Sequence, residues 1–416
     1  MNKKNAARLG AGALAVALAL TGCAGSGGGG DEEVTLHVFT FGFDKTTDKV
    51  FDSFTEDTGI KVVAERVASD QFPSVLQSRV SAKTDLDLIN LRGGSEFNKY
   101  AEAGTFADIT GAKYLGNVSK GAIQNGIFDG KSYGFSMSSY VVGVYYNKDL
   151  FDKLGISVPK NWDEFTAAAT TIREKGNGVA PLVASAGDSW TNQYYYHNAI
   201  ATFANENPDF MEQLKTGDAT WADNPMMLTQ FERFQDLVKS GDFITGAQSL
   251  KYTDAQAAFG AGKAAMWVMG SWGIGGLTPA GFTPGAFALP INDANQPTAV
   301  ASSLSDNIVG ATSWSKHPKE AQQLLEWLTT PAFANTFQER QGIKSTVAGI
   351  DAPYSEFQGG WDALFPDSVA FPPNVGPSVN GEGPAVIGEI LAGTLTPAAA
   401  LDKFQALQDS DNLTGY

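Results

Sequence analysis

From Val34 onward the chain alternates two hydrophobic periods, and that alternation narrows the possible folds more than any other feature. Val34–Phe41 (VTLHVFTF) alternates apolar and polar residues, the period of a strand, and Val50, Phe51 and Phe54 follow at helical spacing. Ile60–Val67 (IKVVAERV) reads as extended, Ser69–Ala82 (SDQFPSVLQSRVSA) as helical, and Asp85–Leu91 (DLDLINL) as extended again. Strands separated by helices imply a parallel sheet with helices on its faces. Ligands of such sheets sit beyond the carboxyl ends of the strands. Two loops are thereby nominated: Phe41-Gly42-Phe43-Asp44 after the first strand and Arg92-Gly93-Gly94-Ser95 after the third.

Lys131–Phe151 (KSYGFSMSSYVVGVYYNKDLF) reads as two short extended runs joined by a polar, hinge-like Ser136-Met137-Ser138-Ser139 link. It then enters a helix at Asn147, an N-cap residue type. This is the expected first passage from one lobe to another, with Tyr140 at the join. Further on, Asn161–Lys175 predicts a helix with Trp162, Phe165, Ala169 and Ile172 on its core face. Thr191–Asn205 predicts a helix opened by an aromatic run, Asp223–Lys239 and Tyr252–Ala261 two more, and Ala264–Met269 a strand. The chain is expected to return to the first lobe near Phe287–Pro290, to add Asn307–Thr312 and the helix Pro318–Leu328 there, and to cross again near Thr330–Pro331.

The N-terminus is addressing rather than fold. Lys3, Lys4 and Arg8 precede an apolar run, Leu9–Leu20, too short to span a bilayer as a mature helix, which reads as the core of a signal peptide. Leu20-Thr21-Gly22-Cys23 resembles the lipobox of bacterial lipoproteins, in which the cysteine becomes the lipidated first residue. Cys23 is the only cysteine, so an internal disulfide is impossible. Ala24–Gly30 (AGSGGGG) reads as a flexible tether. It satisfies G-x-G-x-x-G at Gly25, Gly27 and Gly30, but it precedes the first strand instead of following one, so a nucleotide site is rejected. About 390 residues remain after cleavage, enough for two domains. The formal charge of −16 argues against nucleic acid and against polybasic membrane contact.

Chemistry beyond binding finds little footing. His37, His197 and His317 are far apart and lack metal-ligand spacing, there is no nucleophile elbow, and no cofactor or metal is expected. Carboxylate pairs such as Asp85 with Asp87, or Asp306 with Glu382, leave a cell-surface glycoside hydrolase as the alternative. A sugar ring offers apolar C–H faces and a rim of hydroxyls, so it needs flat aromatic surfaces and polar partners. Trp272 follows a strand in a Gly-Ser setting and Trp190 stands at a helix start, each either a stacking platform or a core residue. Tyr140 is likewise either a ligand contact or a half-buried structural residue. Phe41, Phe43 and Arg92 are candidates by loop position, with core packing competing for Phe41 and a plain surface charge for Arg92. Asp70 and Gln71 fit hydroxyl recognition, although helix capping accounts equally for Asp70. Asp306 either accepts ligand hydroxyls or caps a turn.

Three segments carry a family resemblance. Tyr146–Phe151 (YNKDLF) with Pro159 and Asn161–Phe165 (NWDEF), Ala258–Trp272 (AFGAGKAAMWVMGSW) and Leu391–Gln405 (LAGTLTPAAALDKFQ) resemble the extracellular solute-binding proteins of ABC importers. Within these they are similar to the carbohydrate-binding group that includes the maltose-binding proteins. The resemblance implies an α/β, two-lobed periplasmic-binding-protein fold of type II, each lobe a sheet flanked by helices, joined by a hinge of several crossings. It implies a signal peptide at 1–22, a lipidated Cys23 and tether at 23–32, one lobe of 33–138 plus 290–331, and another of 139–289 plus 332–416. It also implies sugar stacking at Trp272 and Trp190, and sets Asn380 where relatives place an aromatic. The 91–95 loop departs from the maltose-binding pattern, so maltose specificity does not carry over. The expected partners are a carbohydrate, expected to be a short oligosaccharide, and the transmembrane permease subunits, with membrane contact through the lipid alone and a monomeric protein held outside the cell membrane. A binding protein for a non-sugar solute, such as a polyol phosphate or a peptide, is the further alternative.

Overall fold

The alternating periods of the N-terminal third become a parallel sheet. In the computed structural model, which describes residues 33–40, 49–67, 71–277, 280–350, 359–372 and 374–414, β1 (Thr35–Thr40) pairs in parallel with β2 (Lys61–Arg66) and β3 (Leu88–Leu91). The helices Asp52–Thr58 and Phe72–Ser81 make the connections. Cys23, Phe41, Phe43 and Asp70 lie outside the described residues.

After a short hairpin of β4 (Ile127–Phe128) and β5 (Lys131–Ser132), the chain enters β6, one strand of 13 residues from Phe135 to Asn147. The polar link expected at Ser136–Ser139 is therefore not a hinge loop but the first half of this strand. Partners distant in sequence hold it extended. β10 (Ser302–Ala311) pairs antiparallel with it from Val142 to Phe135, while β8 (Ala264–Gly270), β9 (Pro284–Phe287) and β11 (Lys344–Ser345) also pair with β6. Ser138 is reconciled with burial by bonding, its hydroxyl donating to the Asp306 carbonyl (3.2 Å), whereas at Ser136 the Thr346 hydroxyl donates to the backbone carbonyl (2.6 Å) and the buried side-chain hydroxyl has no partner among the described residues. With β7 (Ala180–Val183) and β12 (Val369–Ala370), the sheet of the described residues runs in the order β2-β1-β3-β10-β6-β8-β7, with β9, β11 and β12 paired off this path.

Two principal cores flank the crossing. Leu36, Val38, Leu88, Phe135, Met137 and Val309 belong to the first, and Val142, Val144, Tyr145, Trp267, Ile387 and Phe404 to the second. β6 passes between them at Tyr140–Val141, and β10 passes back around Leu304, which packs against both. Two expected crossings move as a result. Leu289 and Ala301 pack in the second core, so the chain returns within β10 and not at Phe287–Pro290. Phe333, Ala334, Phe337, Ile343 and Val347 pack in the first, so the chain does not leave that side at Thr330–Pro331. Burial of Leu289 and Ala301 decides the first place, and burial of Phe333, Ala334 and Phe337 on the helix Pro331–Gln341 the second.

Local signals elsewhere carry through. The Asn147 amide oxygen caps its helix by accepting from Leu150 N–H (2.9 Å), and the Asn161 amide oxygen accepts from Glu164 N–H (3.0 Å). Phe165, Ala169 and Ile172 are buried as the helical face requires, while Trp162 is half-buried beneath the Arg233 guanidinium, 5.1 Å from the ring centroid. The helix expected over Thr191–Asn205 is instead a 3-10 segment, Ser189–Tyr195, followed by an α-helix, His197–Glu206. Tyr194, Tyr195 and Tyr196 are all buried yet meet different partners: Trp272, Phe234 and Phe404 respectively.

Candidate functional site

Where β6 passes from one core to the other, a row of aromatic rings gathers. Trp272 opens the 3-10 segment Ser271–Gly276 that follows β8. Its indole is half-buried and packs against both cores. It meets Tyr140 edge-on at 5.0 Å and 88°, and Tyr194 at 5.3 Å and 64°. Tyr194 in turn meets Trp190 at 6.2 Å, and Trp190 leans on Tyr252 at 5.4 Å. Trp190 is 40% exposed, unusual for so large a side chain held by two other rings.

The backbone beneath Trp272 is fixed tightly. The Tyr145 hydroxyl donates toward the Gly270 and Ser271 carbonyls (3.1 and 3.0 Å), and the Gln256 amide donates to the Gly273 carbonyl (2.8 Å). Gly270 is required by space, since a Cβ there would stand 1.8 Å from the Trp272 ring. Tyr252 is held through its N–H, which donates to the Asp188 carboxylate at 2.7 Å.

Polar groups meet the rings at one end. Asp306, half-buried on β10, accepts from Gly93 N–H at 3.0 Å, so the 92–95 loop does reach the ring row. Burial pushes the Asp306 carboxyl up, against the Gly93 and Asn307 N–H groups and Arg92, which pull it down. Arg92 lies 3.8 Å from Glu96, whose carboxyl burial also pushes up, with Arg92 opposing and Asp306 adding to the rise. Burial first, and then the Asp306 charge, raise the phenols of Tyr140 and Tyr194, so both remain neutral hydrogen-bonding groups. The Tyr140 hydroxyl accepts from the Asn307 amide (2.6 Å) and shares the single Ser138 hydroxyl proton (2.9 Å) with the Asp306 carbonyl.

Trp272, Trp190, Tyr140, Asp306 and Arg92 are thus brought together. Gln71 is exposed at the start of the helix Phe72–Ser81, where its carbonyl accepts from Val75 N–H, and no contact ties its side chain to the rings. Asn380 stands in the first turn of the helix Pro377–Leu391 and donates to the Val375 carbonyl at 3.3 Å. That helix does reach the row indirectly, because the Asn192 amide donates to the Pro384 carbonyl at 3.2 Å.

Tyr194, Tyr252 and Asn307 are not site candidates from sequence, and His197 enters there only as a metal ligand set aside for its spacing. The Tyr194–Tyr196 run was visible as aromatic, but only the 3-10 spacing picks out which ring faces Trp272. His197 backs the site, stacked on Phe371 at 3.6 Å and 5.6 Å from Tyr194. Burial lowers its pKa to about 3, so it stays neutral and serves packing, not proton transfer.

The hydrolase pairs fare differently. Asp87 is buried and its carboxylate accepts from His37 N–H (2.8 Å) and the Ser315 hydroxyl (2.5 Å), a structural role. Asp85 is exposed with Lys316 at 3.0 Å, and the hydrogen bond from that lysine holds its carboxyl below the usual range. Glu382 is exposed on the helix Pro377–Leu391. Among the described residues no cluster of His, Cys, Asp and Glu could hold a metal ion, and no helix is long and apolar enough to cross a membrane.

Residues 42–334 match the family model of the bacterial extracellular solute-binding proteins. The chain belongs to that family. A relative, the multiple sugar-binding protein of Streptococcus mutans serotype c, is 26% identical over 334 residues, 77% of each chain. Among solved structures, the solute-binding protein RafE in complex with raffinose aligns with a TM-score of 0.78 at 25% identity, covering 91% of this chain and 100% of that one. A chitin oligosaccharide binding protein aligns equally well, with a TM-score of 0.78 at 25% identity over 92% of this chain and 100% of that one. The two principal cores accordingly belong to the two lobes of a solute-binding protein, and the ring row lies where its strands pass between them.

Proposed function

We propose that this solute-binding protein captures a short oligosaccharide between its lobes and delivers it to the transmembrane subunits of an ABC importer. The observation that carries the reading is the row Trp190–Tyr194–Trp272–Tyr140, rings that meet edge-on with the Trp190 indole exposed and the Trp272 indole half-buried, bordered by Asp306 and Arg92. Sugar rings present C–H faces to such surfaces and hydroxyls to such polar groups. The ligands printed for two similar structures, raffinose and chitin oligosaccharides, agree with that chemistry. Binding is read as proceeding without turnover: of the carboxylates proposed for hydrolysis, Asp87 carries structural bonds, Asp85 and Glu382 stand exposed, and only Asp306 borders the ring row. The hinge runs through β6 at Tyr140–Val141 and through β10 near Leu304, so closure rotates the lobes without unfolding either.

A thermal-shift panel of raffinose, stachyose, maltotriose, chitotriose, glucose and glycerol 3-phosphate tests this reading. At least one oligosaccharide should raise the melting temperature by mass action, and solution scattering at saturation with it should give a smaller radius of gyration. Stabilisation by glycerol 3-phosphate alone would favour the polyol-phosphate alternative, and release of product from chromogenic glycosides would favour the hydrolase.

The protein is further proposed to act as a monomer held outside the cell membrane by lipid on Cys23. The LTGC sequence and the glycine-rich tether after it support this anchor. Mass spectrometry of the N-terminus of cell-derived protein should find Cys23 first and lipid-modified. An intact Met1 terminus, or full release into the medium with a free thiol, would sink the anchor while leaving the binding reading untouched.

A further inference from the structure

Asn307 stands out among the described residues that have a left-handed backbone without being glycine. Lys83, Asp129 and Asn177 adopt it in turns, but Asn307, at φ 57°, adopts it inside β10. The register on either side is regular, with Asp306 opposite Ser138 and Ile308 opposite Ser136. In an extended strand successive side chains point to opposite faces, so with Asp306 opposite Ser138 the side chain of residue 307 belongs on the other face. Its amide nevertheless donates to the Ser138 hydroxyl at 2.8 Å and to the Tyr140 hydroxyl at 2.6 Å, two residues that share one face of β6. The positive φ accounts for the reversal, and asparagine is among the few side-chain-bearing residues that tolerate it. Asn307 is 3% exposed, and its Oδ1 has no partner among the described residues, so the amide engages wholly through Nδ2.

We propose that Asn307 is a positioning residue of the binding site: its reversed backbone brings the amide onto the face that carries Tyr140, fixes the phenol, and thereby sets the edge-on Tyr140–Trp272 pair that a ligand ring meets. The same reversal lies next to Asp306, whose carboxylate is held by Gly93, so one backbone feature orders both the polar and the aromatic side of the cleft. The proposal rests on the oligosaccharide reading for its binding readout alone.

Asn307→Gly keeps the left-handed backbone and removes the amide without altering any chromophore. It should change the near-ultraviolet circular dichroism of the ligand-free protein and weaken raffinose binding roughly five- to tenfold, the size of one net hydrogen bond. Asn307→Ala should lower the unfolding midpoint below that of Asn307→Gly, because a Cβ penalises the positive φ. Tyr140→Phe, which leaves the Asn307 backbone alone, should reproduce the affinity loss, and adding Asn307→Gly to it should change the dissociation constant less than twofold. An unchanged dichroism spectrum in Asn307→Gly overturns the proposal, as do fully additive losses in the double variant or a Tyr140→Phe protein that binds like wild type. If wild type does not bind raffinose, the ligand reading needs another sugar, whereas the spectrum and the Gly–Ala comparison still decide the role of Asn307.

Discussion

Trp272→Ala is expected to weaken oligosaccharide binding by tenfold to a hundredfold or more. The indole offers a broad flat surface where the two cores meet, and burying a large side chain against a ligand is worth roughly 1.5–3 kcal/mol, on the order of one to two decades in dissociation constant. The residue also packs against both cores while remaining half-buried, so the variant should melt lower without ligand as well. A purely structural tryptophan would give only the second effect. Calorimetric titration with raffinose, or with the best sugar of the panel, beside melting of the ligand-free variant separates the two outcomes. Unchanged affinity in the surviving folded protein would remove Trp272 from the site.

The second large effect concerns stability. Trp267, three strand positions before Gly270, is fully buried and lies in a ring cluster with Tyr145 (5.4 Å), Tyr252 (5.7 Å) and Phe259 (6.1 Å). Trp267→Ala should cost about 3–5 kcal/mol, combining lost transfer energy with the cavity left behind. The indole N–H finds no hydrogen-bond partner among the described residues, so Trp267→Phe sacrifices no bond and should be much milder. Denaturant unfolding followed by far-ultraviolet dichroism would show the ordering Ala well below Phe and Phe slightly below wild type. A Phe variant as unstable as Ala would mean that the N–H is bonded after all. Because Trp267 also supports Tyr252 and lies against Gly273, the Ala variant should bind sugar weakly even where it folds.

The contrast between these two tryptophans shows what a one-dimensional reading reaches. Both stand in one segment, AAMWVMGSW, and the strand period followed by Gly-Ser correctly set Trp267 within the strand and Trp272 just past its end. Likewise the N-caps at Asn147 and Asn161 were legible because capping is a contact between residues three apart. Tyr194 was not legible as a neighbour of Trp272, nor Tyr252 as a neighbour of Trp190, since they are 78 and 62 residues apart in sequence and meet only once the strands are assembled. The Ser136–Ser139 stretch misled for the same reason. Serines in a near-continuous row look like a linker until the antiparallel partner that buries them, and the acceptor of the Ser138 hydroxyl, are known.

By itself the sequence determined the α/β class, the order of strands and helices from Val34 to Leu91, the capped helix starts at Asn147 and Asn161, and the segments by which the family could be identified. These depend on period and on contacts a few residues apart, which the chain carries locally. Only the tertiary structure decided that β6 and β10 run unbroken through both lobes, that the 331–347 segment stays with the first core, and that Asn307 turns back toward Tyr140. Those outcomes are set by pairings between residues more than a hundred positions apart, where burial and hydrogen-bond satisfaction override local preference.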